Sequence, residues 1–320
     1  MPKGSGDGRA QVCRYGAWFL SRVALEFREE IEVVKEGRDV EAVHRMRVTS
    51  RRLRAGLPLF SQCFPGKAYK KISGGIRRIT RDLGDARDLD VQIGYLEALI
   101  EEHRDDGGPA VDGCTILLSM KRTRREALQP KVVADCTRLE QKGVIELLEA
   151  GIAAWSGPGS ILRESPPGGF PMKRSGSAIK RRAEKLESYS PMVQDPSAVE
   201  AHHAMRIAAK RLRYLLEVYA PLYRKEFRPA IRQLKRLQEI LGNLHDCDVW
   251  IADLQEALGK GRKPAGTPDP VLDEGMVFVL KDRRKARDEY YLLLKKEWEA
   301  LEAGGFCPHI REIASSGSRR

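Results

Sequence analysis

Between His44 and Arg54 the chain reads HRMRVTSRRLR, a histidine followed by a crowd of arginines. On a helix turning about 100° per residue, His44, Arg47, Arg51 and Arg54 fall within roughly 80° of arc. Such a stripe suits a multivalent oxyanion. A guanidinium fork grips two phosphate oxygens at once, a lysine serves as a point charge, and a partly protonated histidine adds a donor near neutral pH. The ordinary alternative is the wet face of an amphipathic helix. Wet faces mix signs, because Glu four residues before Lys or Arg stabilises a helix by a few tenths of a kcal/mol and like charges cost about as much. No acidic residue occurs from His44 to Leu57, so the repulsion favours an external anion.

The string returns from His203 as HAMRIAAKRLR, which puts His203, Arg206, Lys210 and Arg213 in the same stripe. Met46, Leu53, Leu57 and Phe60 fall on the opposite side of the first copy, and Met205, Leu212, Leu216 and Tyr219 on that of the second, each set predicting a core face. Downstream, YKKISGGIRRI and FRPAIRQLKRL align Lys70 with Arg228, Arg77 with Lys235 and Arg78 with Arg236. These add candidate cations, although exposed Lys and Arg on a third helix also read as plain solvated side chains. Ile72, Ile76, Ile79 and Leu83 mark that helix's buried side.

The elements that must position these residues are helical. Apolar residues recur at three- and four-residue spacing along nearly the whole chain, and alternating strand-type runs are hard to find. LGDARDLDV from Leu83 recurs as LGNLHDCDV from Leu241, so two strings repeat in the same order, the mark of a duplicated architecture. The expectation is an all-α protein of two tandem four-helix bundles: residues 1–155, a Gly/Pro/Ser-rich connector over 156–172, and residues 173–320. Gly84 and Gly242 suit helix C-caps, and Asp88 and Asp246 the N-caps of the fourth helices. A metal reading of Asp88 and Asp90 is the weaker option.

The chain has 320 residues, with 57 Lys plus Arg against 45 Asp plus Glu, a net charge of +12 that favours anionic partners. Cys13, Cys63, Cys114, Cys136, Cys247 and Cys307 stand singly and are expected as reduced, mostly buried thiols, with neither a zinc site nor a disulfide scaffold. The opening MPKGSGDGRAQ lacks a signal-peptide core and no run approaches the ~18 apolar residues of a membrane span. A soluble cytoplasmic protein is expected, with no membrane partner.

With these residues in place, the chain resembles the CHAD family, the conserved-histidine α-helical domain. The resemblance rests on His44, Arg47, Arg51, Arg52 and Arg54, on His203, Arg206, Lys210, Arg211 and Arg213, and on the L-G-x-x-x-D-x-D-V strings, and covers about Arg14 to Phe306. It implies two four-helix bundles related by pseudo-twofold symmetry, their His/Arg helices facing a shared basic groove that binds inorganic polyphosphate, and association with polyphosphate granules. The second signature departs by placing His245 where the first has Arg87. Some relatives carry a triphosphatase-type domain with an E-x-E-x-K string on a strand. Here EIEVVK, Glu30 to Lys35, has its lysine one place late and lies on a helix, so no such catalysis is expected.

Non-catalytic polyphosphate binding is thus the leading expectation, with no cofactor and no resident metal. Nucleic acid, RNA above all, is the alternative, although single strands usually meet aromatic platforms and the stripes offer only Tyr214. A histidine phosphocarrier or a histidine metal site ranks third. No Glu or Asp lies at helical spacing within the stripe to orient a nucleophilic histidine, and His202 and His203 point about 100° apart.

Overall fold

The computed structural model describes residues 5–37, 39–105, 107–156, 165–224, 226–260 and 269–316. It is all-α, with no strand among the described residues. The first half comprises α1 (Ser5–Glu36), α2 (Val40–Gly56), α3 (Gly66–Glu102), α4 (Pro109–Gln141) and α5 (Val144–Ala153). The second comprises α6 (Met172–Glu187), α7 (Val199–Tyr219), α8 (Arg228–Lys260), α9 (Pro270–Ala303) and α10 (Phe306–Ser316). The His/Arg strings lie on α2 and α7. Asp39 caps α2 by accepting from the Glu41 amide at 2.9 Å.

Among the described residues each half carries five α-helices, the last of them short, and the helices divide at places other than those expected. Gly84 and Gly242 do not end helices: α3 and α8 run straight through both signatures. A glycine inside a helix costs about 1 kcal/mol relative to alanine. The buried ridge of Ile76, Ile79, Leu83, Ala86 and Leu89, which continues on both sides of Gly84, outweighs that cost. Asp88 and Asp246 therefore sit in mid-helix and are not N-caps. The breaks come instead at Gly143 and Gly305, whose φ values of 59° and 62° admit glycine readily and start α5 and α10.

The apolar faces read from the sequence are buried without exception: Met46, Leu53, Phe60, Met205, Leu212 and Leu216 are 0% exposed. The core crosses between the halves. Tyr15 packs against Phe170 and Tyr219, and its hydroxyl donates to the Val218 carbonyl at 2.6 Å. Phe170 belongs to the expected connector, of which residues 157–164 lie outside the described residues. A second apolar cluster forms where the α3–α4 and α8–α9 hairpins meet, with Leu96, Leu99, Leu117 and Leu118 facing Trp250, Leu254, Val279 and Leu280.

The two halves also cross closely where α4 meets α9. Gly113 of α4 touches Gly275 of α9 so closely that a Cβ on Gly113 would stand 2.1 Å from the Val271 carbonyl oxygen and 2.6 Å from the Gly275 nitrogen. On either side, Lys121 of α4 lies 4.7 Å from the Trp250 ring centroid of α8 and Arg283 of α9 lies 3.7 Å from that of Tyr95 in α3.

The cysteine expectation needs a correction. Cys13 and Cys63 form a disulfide with a Cα–Cα separation of 5.3 Å, whereas Cys114, Cys136, Cys247 and Cys307 are free and buried. The pair is 50 residues apart in sequence; folding α2 back along α1 brings the turn after α2 against the start of α1, a proximity that spacing alone conceals.

Candidate anion-binding site

The two stripes converge where α2 and α7 pack together. Lys210 is flanked by Arg47, Arg51 and Arg54 from α2 and by Arg206 on its own helix. Burial and this like-charged company push its ammonium down to about 7. Burial likewise lowers the pKa of Arg51, with Arg47, Arg206 and Arg213 adding repulsion. The Tyr214 ring lies between the halves, with Arg51 at 5.7 Å and Arg213 at 4.5 Å from its centroid. The sequence-matched residues Arg51 and Lys210 thus face each other across the seam.

The histidines lead each stripe, and both face the signature string. His44 is pushed below its ordinary pKa by burial and then by Arg87, so it sits on the neutral side near pH 7 and does not supply the extra charge expected of it. In the second half His245 stands where Arg87 does in the first, and its Nδ1 lies 3.1 Å from Nδ1 of His203. Burial and Arg206 push His245 down to about 4.

The signature aspartates divide their duties, a division the sequence reading missed. Asp90 accepts from Arg125 of α4 at 2.7 Å, and Asp248 from Arg287 of α9 at 2.6 Å. These matching, largely enclosed ion pairs tie the hairpins together. Asp88, in contrast, points into the seam, 3.4 Å from Arg47. Asp246 is raised by burial, opposed by Arg206, with Asp88 among the charges it feels. Gly84 and Gly242 leave room for the stripe above them: a Cβ there would lie 3.9 Å from Arg47 Nε and 4.0 Å from Arg206 Nε respectively. The clue was available, since both signatures put Gly and Asp four residues apart, one helical turn, beneath the arginines.

The remaining candidates lie elsewhere. Arg52 turns toward α1 and pairs with Glu26 at 3.2 Å, and Arg211 lies near Arg182 of α6; both are about 80° off the stripe. Arg213 is held by Glu217 at 2.6 Å and Gln238 at 2.9 Å, and Arg236 by Glu297 of α9 at 2.8 Å. Lys70 and Arg78 line a cleft of about 270 Å³ between α3, α4 and α5. Arg77 joins Arg54 in another of about 480 Å³. Arg228 and Lys235 are exposed on α8. No group of three or more His, Cys, Asp or Glu side chains is gathered for a metal among the described residues.

A duplicated all-helical fold with cationic stripes opposed across its seam defines the class. The CHAD domain model matches residues 20–255, and the chain belongs to the CHAD family. It is similar to the crystal structure of the CHAD domain from the plant Ricinus communis, with a TM-score of 0.58 at 25% identity over 98% of this chain and 94% of that one. PptA from Streptomyces chartreusis shares the fold at a TM-score of 0.62 and 14% identity, over 90% of this chain and 99% of that one. No curated protein matches at a significant level.

Proposed function

We propose that the protein binds inorganic polyphosphate, without catalysis, in a basic groove along the seam of α2 and α7. One observation carries this reading: Lys210 is packed among Arg47, Arg51, Arg54 and Arg206 at the cost of pushing its own ammonium down to about 7. A folded chain relieves such repulsion by taking up a polyanion that delivers one charge per short repeat. Membership of the CHAD family supports a polyphosphate-related role. The enzyme and phosphocarrier readings lose ground because His203 faces His245, and because Glu41, the carboxylate beside His44, is drawn to Arg87 at 3.7 Å, so neither histidine has a free carboxylate to orient it as a nucleophile.

Calorimetric titration with polyphosphate at two ionic strengths tests the proposal. With six or more charges neutralised, affinity falls by about a thousandfold or more between roughly 50 and 200 mM salt. Absence of binding, or binding indifferent to salt, overturns it. Single-stranded RNA serves as the competitor. It is expected to be displaced by polyphosphate, because Tyr214 is a meagre platform for stacked bases.

The same reading puts the protein in the cytoplasm on polyphosphate granules, where tagged protein is expected to coincide with stained polymer. No helix among the described residues is long and apolar enough to cross a membrane. The Cys13–Cys63 disulfide is of a kind more usual in oxidising compartments, so the location of the tagged protein bears directly on this placement.

A further inference from the structure

The cations do not stop at the seam, and they continue on one side only. Arg54, at the C-terminal end of the α2 stripe, adds to the repulsion on Lys210 and is itself lowered by burial and by Arg77 of α3. Arg54 and Arg77 share with Gly74, Arg78 and Arg81 the cleft of about 480 Å³. Gly74 and Arg78 also line the neighbouring cleft, whose other cations are Lys70, Lys71, Arg138 and Lys142. The two clefts are therefore contiguous. Gly74 lies open at their junction, where a Cβ would meet nothing within 4 Å. Lys70 to Arg81 covers about 16 Å of helix. Lys70, Arg77 and Lys142 are exposed, and none is bonded to a carboxylate among the described residues. The acids lining this surface, Asp82 and Asp135, are buried together and already bound by Arg81, Lys131 and Arg138.

The repeat-matched surface of the second half is closed by acids. Arg213, counterpart of Arg54, is held by Glu217. Arg236, counterpart of Arg78, is held by Glu297. Glu239 stands where the first half has Arg81. Counting from the matched breaks at Gly143 and Gly305, Ala300 and Gly304 replace Arg138 and Lys142. A phosphate chain leaving the seam meets Arg54, Arg77 and Arg78 without carboxylate partners among the described residues on one side, whereas on the other Arg213 and Arg236 are paired next to the seam and only the outlying Arg228, Arg232 and Lys235 are left exposed.

We propose that the site is one-ended: a bound phosphate chain leaves the seam past Arg54 and runs over the first half's α3 into the cleft walled by Lys70, Arg78 and Lys142. The proposal rests on the polyphosphate reading and adds a direction and a preference for long chains. A short oligophosphate occupies the seam alone, whereas a long polymer fills the track as well.

The test compares two triple variants of the full-length chain with equal loss of charge. One is Lys70→Gln, Arg77→Gln, Lys142→Gln; the other is Arg228→Gln, Arg232→Gln, Lys235→Gln. All six residues are exposed, so folding is unaffected beyond about 0.5 kcal/mol, which thermal unfolding verifies. For long-chain polyphosphate, the first variant is expected to lower the slope of log affinity against log salt by about 2, as three lost phosphate contacts require. The second is expected to lower it by less than about 1. For tripolyphosphate the two variants are expected to bind equally. Equal losses from both triples on the long polymer, with the wild type binding tightly, overturn the one-ended track and leave the seam standing. Failure of the wild type to bind either phosphate overturns the seam and the track together.

Discussion

Arg54 and Arg213 close the same repeated string, yet one opens onto further cations and the other is spent on Glu217 and Gln238. The first half keeps Arg54, Arg77 and Arg78 available beside the seam, whereas the second ties the matching Arg213 to Glu217 and Arg236 to Glu297. Charge available to a ligand thus depends less on the arginines themselves than on acids one helical turn away or on the next helix. At the seam both halves contribute cations, and beside it they diverge.

The largest effect that bears on this comparison comes from erasing the feature the halves share. The double reversal Arg51→Glu, Lys210→Glu is expected to lower polyphosphate affinity by more than about a thousandfold while far-ultraviolet circular dichroism stays unchanged. Retention of wild-type affinity would remove the seam from the site. Next in size, Leu53→Ala and Leu212→Ala each delete a fully buried side chain at matched positions and are expected to cost about 2–5 kcal/mol by denaturant unfolding. Because the core passes between halves through Tyr15, Phe170 and Tyr219, each variant is expected to unfold in one transition. Two transitions would show halves that fold separately.

The smallest effect exposes an asymmetry of the opposed stripes, a lysine opposite an arginine. Lys210 titrates near 7 in the folded protein and near 10.4 when unfolded, so between those values the unfolded state holds the extra proton and stability rises with pH. Below about pH 7 the amine is charged in both states and the full repulsion is present. A bound polyanion raises the folded value again. Titrations near pH 8 in buffers of different ionisation heat are therefore expected to show uptake of up to one proton, and Lys210→Arg to abolish it. Unchanged uptake in that variant would assign the proton to another group.

The duplicated strings, the helical class and the buried faces were legible because each rests on periodicity: Leu53 and Leu212 could be placed in the core by counting around a helix. The opposition of Arg51 and Lys210 was legible only through the family resemblance. Gly84 misled because glycine marks helix ends more often than helix interiors, and the buried ridge beyond it decides otherwise. Glu217 lay just past the acid-free stretch, where its grip on Arg213 depends on a rotamer. Cys13 and Cys63 met through chain reversal, and the pairing of Arg236 with Glu297 required knowing which helices are neighbours. Periodicity reports which way a residue faces, and only the assembled packing reports what it meets there.

The Gly113–Gly275 crossing brings main-chain atoms of the two helices into direct contact. The approach of α4 to α9 is consequently set at this point by main-chain contact, which no change of rotamer can relax. A side chain added to either glycine would have to wedge the two hairpins apart.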